Sequence, residues 1–108
     1  MNISPLCDQT VTLYRATPAG IERRVVIGCF YQWQQEVTAE GLEQTCFLLV
    51  LPPDASVQPG DRVYDGVGPE RVVWEAFLPV NTPGLSQVAY VKPCYFHGAL
   101  HHLEAGRK

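Results

Sequence analysis

One short segment near the end of the chain contains residue types that could bind a metal ion. Cys94, His97, His101 and His102 lie close together, and thiolate and imidazole groups are preferred zinc ligands. Their spacing matches no standard zinc finger, and no second pair of ligands accompanies them. A strand that ends at Cys94, followed by a polar loop and a last strand, explains the same residues. We therefore predict no cofactor and no metal, with a zinc site at this cluster as the alternative.

Three carboxylates in the middle of the chain raise the question of acid–base chemistry. Asp54, Asp61 and Asp65 lie near one another in the sequence. Aspartates in turns rich in proline and glycine usually accept hydrogen bonds from the local backbone. The sequence has no Gly-x-Ser-x-Gly element and no glycine-rich phosphate loop, and a cysteine nucleophile would need an activated thiolate beside a base. We expect that the protein is not an enzyme.

Four large aromatic side chains lie in segments with strand-like patterns: Tyr31, Trp33, Phe47 and Trp74. We expect them to pack in the core and across neighbouring strands. The alternative is that Tyr31, Trp33 and Trp74 form an aromatic patch at a subunit interface, where such residues are enriched.

A loop rich in proline separates two predicted strands. A strongly apolar run ends at Leu51, and residues 59–66 (PGDRVYDG) form a turn that leads into a short strand. We expect this loop to project from the body of the protein. The pattern does not by itself show what the loop contacts, and an ordinary solvent-exposed loop and a partner-contacting loop fit it equally well. Its polar and turn-forming members, the candidates for partner contact, are Pro52, Pro53, Asp54, Ser56, Gln58, Pro59, Gly60 and Asp61.

Apolar residues along the chain follow the period of β-strands. The predicted strands are residues 9–15, 23–35, 45–51, 62–65, 71–80, 87–95 and 100–105. Alternation in the first predicts a half-buried strand, and the continuous apolar run of the third predicts burial on both faces. Gly28 predicts a bulge or bend, as at the corner of a small barrel. Pro93 predicts an edge strand, because proline cannot donate to a sheet ladder.

These patterns predict an all-β fold, a small antiparallel β-barrel or sandwich of six or seven short strands with a long Pro-rich loop. No convincing helix of about ten or more residues is visible. The length of 108 residues fits a single β-barrel-like domain. We expect mobile ends at roughly residues 1–8 and 106–108.

The charge of the chain argues against nucleic-acid binding. Its formal net charge is −3, whereas phosphate binding needs a concentration of lysine and arginine. No apolar run approaches the ~20 residues of a membrane span, and the first residues lack the features of a signal peptide. We therefore predict a cytoplasmic protein with no membrane partner. In that compartment Cys7, Cys29, Cys46 and Cys94 are expected to be reduced.

Several motifs, taken in their order along the chain, carry a resemblance. They are residues 10–14 (TVTLY), 28–33 (GCFYQW), 47–52 (FLLVLP), 59–66 (PGDRVYDG), 88–95 (VAYVKPCY) and 101–106 (HHLEAG). In this order they resemble small structural proteins of tailed phages and prophages, known as minor capsid or head–tail joining proteins. The resemblance spans nearly the whole chain.

The resemblance implies a head-completion or stopper-like role. Such proteins are small β-barrels that assemble as a homo-oligomeric ring under the portal, retain packaged DNA and present a surface to the tail. It implies three partners: further copies of the chain, a portal or adaptor protein above, and a tail protein below. Packaged DNA would be near only by proximity, facing the loop at residues 52–60. The implied location is the host cytoplasm during assembly and then the head–tail junction of the virion.

Other functions remain open at this stage. Within the same class, the alternative is a tail-completion or other minor capsid protein. Outside it, the alternatives are a zinc-binding β-domain around Cys94, His97, His101 and His102, or a small β-barrel that binds a small ligand. A ligand module would need a deep apolar pocket in the monomer.

Overall fold

The structure, a computed structural model, describes residues 8–37, 39–41 and 43–107, with the side chains of residues 33–37 and 43–46 not described. The described residues contain seven β-strands: β1 (Gln9–Thr17), β2 (Gly20–Val37), β3 (Glu43–Leu51), β4 (Arg62–Asp65), β5 (Leu85–Gln87), β6 (Tyr90–Phe96) and β7 (Ala99–Arg107). The protein is all-β, as predicted. None of the described residues belongs to a helix long and apolar enough to cross a membrane.

The strands form one curled, half-barrel sheet with the order β5-β4-β1-β2-β3-β7-β6. The first part of β2 pairs with β1, and its second part, from Phe30 onward, pairs with β3. The outer strands β5 and β6 are successive in the chain and are joined by Val88 and Ala89. Two segments therefore pass from one half of the sheet to the other. Such crossings form the corners of small barrels.

Gly28 marks the first of these corners. Gln9 is opposite Cys29 whereas Val11 is opposite Val26, so β2 contains one residue more than β1 at this point. Gly28 has a φ of 73°, in the left-handed region that glycine adopts without a steric penalty. The prediction of a bulge at Gly28 is confirmed.

The main core lies on the inner face of the curled sheet, and its buried residues come from five strands and from the segment between β5 and β6. Its buried members are Val11, Leu13, Cys29, Tyr31, Phe47, Leu49, Leu51, Val63, Val88 and Ala105. Ala55 and Val57, from the loop at residues 52–60, pack against it. The backbone amide of Gly60 donates to the carbonyl of Val88 at 2.8 Å. The loop is therefore held against the body, and the expectation that it projects is wrong because its apolar side chains are partly buried.

A second apolar cluster covers the other face of β1. Residues 66–84, which we call the covering segment, contribute Phe77, whose ring centroid lies 4.7 Å from that of Tyr14. The backbone amides of Ala76 and Phe77 donate to the carbonyl of Val73 at 3.0 and 2.9 Å. The prediction of a strand at residues 71–80 is wrong because these bonds form tight turns. The turns place Trp74 and Phe77, three residues apart, on the same side of the segment.

The remaining strand predictions can be compared with the structure in turn. β1, β2, β3, β4 and β7 confirm strands at the predicted places. The predicted strand at residues 87–95 is divided, because Val88 and Ala89 interrupt it between β5 and β6. Pro93 lies in β6, which is an edge of the sheet, as predicted.

Three expectations about exposure and chain ends complete the comparison. Leu48 is 36% exposed, so β3 is not buried on both faces. β1 is buried on both faces rather than half-buried, because the covering segment lies over Thr12 and Tyr14. Gly106 and Arg107, expected in a mobile end, lie in β7. Residues 1–7 and 108 lie outside the described part of the chain.

Candidate functional site

The end of the β6–β7 hairpin extends beyond the rest of the sheet. Pairing between β3 and β7 ends at Leu103, whereas pairing between β6 and β7 continues to Phe96 and Ala99. Among the described strands, residues 94–102 are therefore paired only with each other, and we call them the arm. Tyr95 and Phe96 on the arm are 66% and 63% exposed. The arm presents two large aromatic side chains to solvent.

A cluster of potential metal ligands lies at the base of the arm. Cys94 and His102 are opposite each other in the β6–β7 ladder. Glu104 is two residues beyond His102 and lies on the same face, because side chains alternate along a strand. One ligand atom from each of the three residues lies within 4.8 Å of the other two. The pairing of two strands has thus gathered a thiol, an imidazole and a carboxylate.

His101 lies in a second bulge of the sheet. Cys94 is opposite His102 but Tyr95 is opposite Leu100, so β7 contains one extra residue. Nδ1 of His101 lies 2.8 Å from Nδ1 of His102, although successive side chains of a regular strand point to opposite faces. The bulge redirects His101 toward its neighbour.

The groups of the cluster affect one another's protonation. Nε2 of His102 lies 3.2 Å from Oε2 of Glu104, and this hydrogen bond lowers the pKa of Glu104 below its usual value. Burial raises the pKa of the Cys94 thiol, and the neighbouring Glu104 raises it further. A thiol with a raised pKa is mostly protonated at neutral pH and is a weak nucleophile. In the absence of a cation, the surroundings of Cys94 therefore favour the thiol over the thiolate.

The structure brings together only part of the metal-ligand set considered from sequence. Cys94 and His102 converge, and His101 contacts the far side of the His102 ring. His97 is in the turn at the tip, with a φ of 51° and its ring 4.2 Å from that of Phe96. Sequence reasoning missed Glu104 because it considered only cysteine and histidine. The signal that could have found Glu104 is the His-x-Glu alternation opposite Cys94.

The exposed residues of the loop at residues 52–60 form a continuous part of the surface. Pro52 is partly exposed, and the exposed contact residues predicted from sequence are Pro53, Asp54, Ser56, Gln58, Pro59 and Gly60. The backbone amide of Ala55 donates to the carbonyl of Pro52 at 3.1 Å. The loop therefore presents its polar side chains from a fixed backbone.

Asp61, the last predicted member of the loop surface, is instead an interior residue. Its side chain is 1% exposed and accepts hydrogen bonds from both Nε and Nη2 of Arg15 at 2.8 Å. The backbone amide of Gln58 also donates to it, at 3.0 Å. The carboxylate fixes the end of the loop to β1, which is why it does not reach the surface.

The aromatic residues considered for an interface have different surroundings. Tyr31 is 6% exposed, and its hydroxyl group is hydrogen-bonded to Oγ of Ser86 at 2.7 Å. Trp74 is partly buried, and the guanidinium carbon of Arg62 lies 3.7 Å from its ring centroid. Tyr31 therefore belongs to the core and Trp74 to the covering segment. The side chain of Trp33 lies outside the described part.

A second exposed apolar surface lies on the outer face of the sheet. Val25 and Ile27 of β2 are 42% and 72% exposed. Val25 is opposite Thr12, whose hydroxyl group is hydrogen-bonded to backbone atoms of residues 66 and 68. Val67, in the covering segment next to these backbone atoms, is 67% exposed. We call Val25, Ile27 and Val67 the outer patch.

The arm and the outer patch are different in composition and lie on different halves of the sheet. One consists of aromatic side chains at a hairpin end, and the other of branched aliphatic side chains on a sheet face. No family model, no curated protein and no solved structure matches this chain.

Proposed function

We propose that the protein is a non-enzymatic structural component of a tailed phage or prophage that joins head to tail. In this proposal it acts as a head-completion or stopper-like protein, and its copies form a ring under the portal. The observation that carries the proposal is the arm, with Tyr95 and Phe96 exposed beyond the sheet. Exposed aromatic side chains of this size are typical of the centres of protein–protein contacts.

The arm supplies one side of the contact between neighbouring copies. A buried tyrosine or phenylalanine contributes ~150–250 Å² of surface. Because Tyr95 and Phe96 are 66% and 63% exposed, together they would supply roughly a third of the ~800 Å² that each partner buries in a standard interface. Pro93 and the bulge at His101 make the β6 edge a poor template for adding a strand. We therefore expect contacts through side chains rather than through a continuous sheet.

The outer patch supplies the opposite side of the contact. Exposed β-branched side chains such as Val25, Ile27 and Val67 give an apolar surface against which aromatic rings can pack. Because the arm and the patch are different surfaces, one copy would present its arm to the patch of the next. Contacts of this head-to-tail kind produce a ring when the rotation between copies closes.

The resemblance to head–tail joining proteins supports a position for the ring at the junction between head and tail. A ring under the portal would contact a portal or adaptor protein above and a tail protein below, first in the host cytoplasm and later in the virion. The surface of the fixed loop, with Asp54, Ser56 and Gln58 exposed, is the candidate for contact with the portal or for lining the channel. Asp54 would repel packaged DNA rather than bind it.

Size measurements on the purified chain test the assembly. Native mass spectrometry over a range of concentrations is expected to give a closed oligomer for the wild type. The double substitution Tyr95→Ser and Phe96→Ser should give monomers, whereas Val80→Ser should still assemble, because Val80 is 89% exposed but lies in neither surface. A wild-type protein that stays monomeric at every concentration would contradict the proposal.

The order of neighbouring genes tests the biological setting separately. A portal or major capsid gene a few reading frames away is the expected result. Neighbours that encode only tail components would favour the tail-completion role instead. Neighbours unrelated to virion assembly would contradict the phage assignment, whatever the oligomeric state of the protein.

A further inference from the structure

The cluster at the base of the arm has the chemistry of a transition-metal site. Cys94, His102 and Glu104 offer one sulfur, one nitrogen and one oxygen donor, all of which are ligands of zinc in proteins. The side chains of His102 and Glu104 are 21% and 32% exposed, and Cys94 is partly exposed. An ion can reach the donors from solvent, while enough of their surface is covered to hold their positions.

The distances between the donor atoms fit a tetrahedral ion. With zinc–ligand bonds of ~2.0–2.3 Å, two donors of a tetrahedral site lie about 3.3–3.6 Å apart. Nε2 of His102 and Oε2 of Glu104 are already 3.2 Å apart. The Cys94 sulfur lies within 4.8 Å of one ring nitrogen of His102 and one carboxylate oxygen of Glu104. Binding would require the Cys94 sulfur to move closer to the other two donors, and the hydrogen bond between His102 and Glu104 to open so that both groups face the ion.

The bulge at His101 provides the support that a ligating histidine needs. A histidine that binds a metal usually donates its other ring N–H group to a neighbouring acceptor, which fixes the orientation of the ring. Nδ1 of His102 has such a neighbour in Nδ1 of His101, at 2.8 Å. Without a metal, Nε2–H of His102 donates to the carboxylate of Glu104. A bound metal would replace that proton, and His102 would then donate from Nδ1 to Nδ1 of His101. The bulge has thus placed His101 where it can select the tautomer required for binding.

We propose that Cys94, His102 and Glu104 bind one zinc ion, or a similar divalent transition metal, and leave its fourth position to water. His101 is a positioning residue, since its contact is with the far nitrogen of the His102 ring. His97 takes no part, because it lies in the turn at the tip against Phe96. This ligand set differs from the one suggested by sequence, and it stands apart from the ring proposal.

Zinc titration of the metal-free full chain tests the stoichiometry. The protein is first treated with a chelator under reducing conditions, and zinc is then added in competition with a chromophoric chelator. We expect one equivalent per chain. Binding of less than about half an equivalent would overturn the proposal.

Substitutions identify the ligands. Cys94→Ser and Glu104→Gln should each weaken binding more than ~100-fold, since the loss of a ligand exceeds the ~10–100-fold effect of losing a supporting residue. His97→Ala is the matched control, because it removes a histidine of the same hairpin that is not a ligand. Equal losses for His97→Ala and Glu104→Gln would overturn the proposed ligand set. Circular dichroism in chelator verifies that each variant remains folded.

Cobalt distinguishes a ligand from a positioning residue. Bound Co²⁺ should give a thiolate-to-metal charge-transfer band that Cys94→Ser abolishes. His101→Ala should weaken affinity ~10-fold but leave the band in the saturated complex, and His101→Asn, which keeps an acceptor, should restore part of the affinity. Loss of the band in His101→Ala, or no loss of affinity, would contradict the positioning role.

Discussion

Asp61 and Glu104 are both paired with a basic side chain, but Asp61 is buried whereas Glu104 is partly exposed to solvent. The side chains of Asp61 and its partner Arg15 are 1% and 18% exposed, whereas those of Glu104 and His102 are 32% and 21% exposed. Asp61 uses both oxygens to hold one arginine and also accepts from a backbone amide. The first pair holds a loop in place, while the second remains open to a ligand from solvent.

The same difference separates two phenylalanines. Phe77 in the covering segment is 6% exposed and packs edge-on against Tyr14, whereas Phe96 in the arm is 63% exposed. The long loops of this protein therefore complete its core. The end of the β6–β7 hairpin carries the solvent-exposed aromatic side chains and, at its base, the candidate metal ligands. Three stability measurements test this division, and the assembly and metal experiments above test the arm itself.

Truncation of the two phenylalanines, one at a time, should give the largest difference in the free energy of unfolding. We expect Phe77→Ala to lower the free energy of unfolding by ~3–4 kcal/mol, because it leaves a cavity over Tyr14. Phe96→Ala should change it by less than ~0.5 kcal/mol, since its ring is exposed in the isolated chain. Urea denaturation of both variants measures this difference. Equal losses would show that the arm is part of the folded body.

Neutralising the buried carboxylate of Asp61 should give the second-largest loss in the free energy of unfolding. Asp61→Asn leaves the guanidinium of Arg15 without its charged partner, which we expect to cost ~2–3 kcal/mol, below the ~3–5 typical of full burial because Arg15 retains some access to water. Asp54→Asn, on the exposed part of the same loop, should cost less than ~0.5 kcal/mol. Thermal and urea unfolding of the pair compare them. A loss of similar size for Asp54→Asn would contradict the anchored loop.

Removal of the Tyr31 hydroxyl group should give the smallest effect and a change with pH. Tyr31→Phe is expected to cost ~1 kcal/mol at neutral pH through the lost hydrogen bond to Ser86. Burial raises the pKa of Tyr31 above its usual value of 10.0. Its contribution to stability is therefore complete below pH ~10 and is lost as the pH rises toward the folded-state pKa. Unfolding measured from pH 8 to 11 should show a shallower decline in the variant, and an identical slope would contradict this assignment.

Much of the strand framework could be predicted because it depends on local pattern. Alternation fixed the inner face of β1 through Val11 and Leu13, and Gly28 identified the corner in β2. The covering segment could not be predicted, because Trp74 and Phe77 also fit a strand when taken alone. Their turn is selected by long-range contacts: Trp74 lies against the guanidinium of Arg62, and Phe77 packs edge-on against Tyr14.

The candidate site was only partly predictable for a related reason. The sequence shows Cys94 and His102, but the register between β6 and β7 decides which other donors join them. That register includes the bulge at His101, and no local sequence pattern predicts this bulge. Asp61 was likewise placed on the loop surface because its partner, Arg15, is distant in sequence.

Mixing two variants tests most directly whether each copy uses its arm and its outer patch as different faces of one contact. The first variant carries Tyr95→Ser with Phe96→Ser, and the second carries Ile27→Ser with Val67→Ser. Native mass spectrometry should find each alone as a monomer and the mixture as a heterodimer that grows no further, because only one intact contact can form. A mixture that stays monomeric, or a variant that closes into a ring alone, would contradict the account.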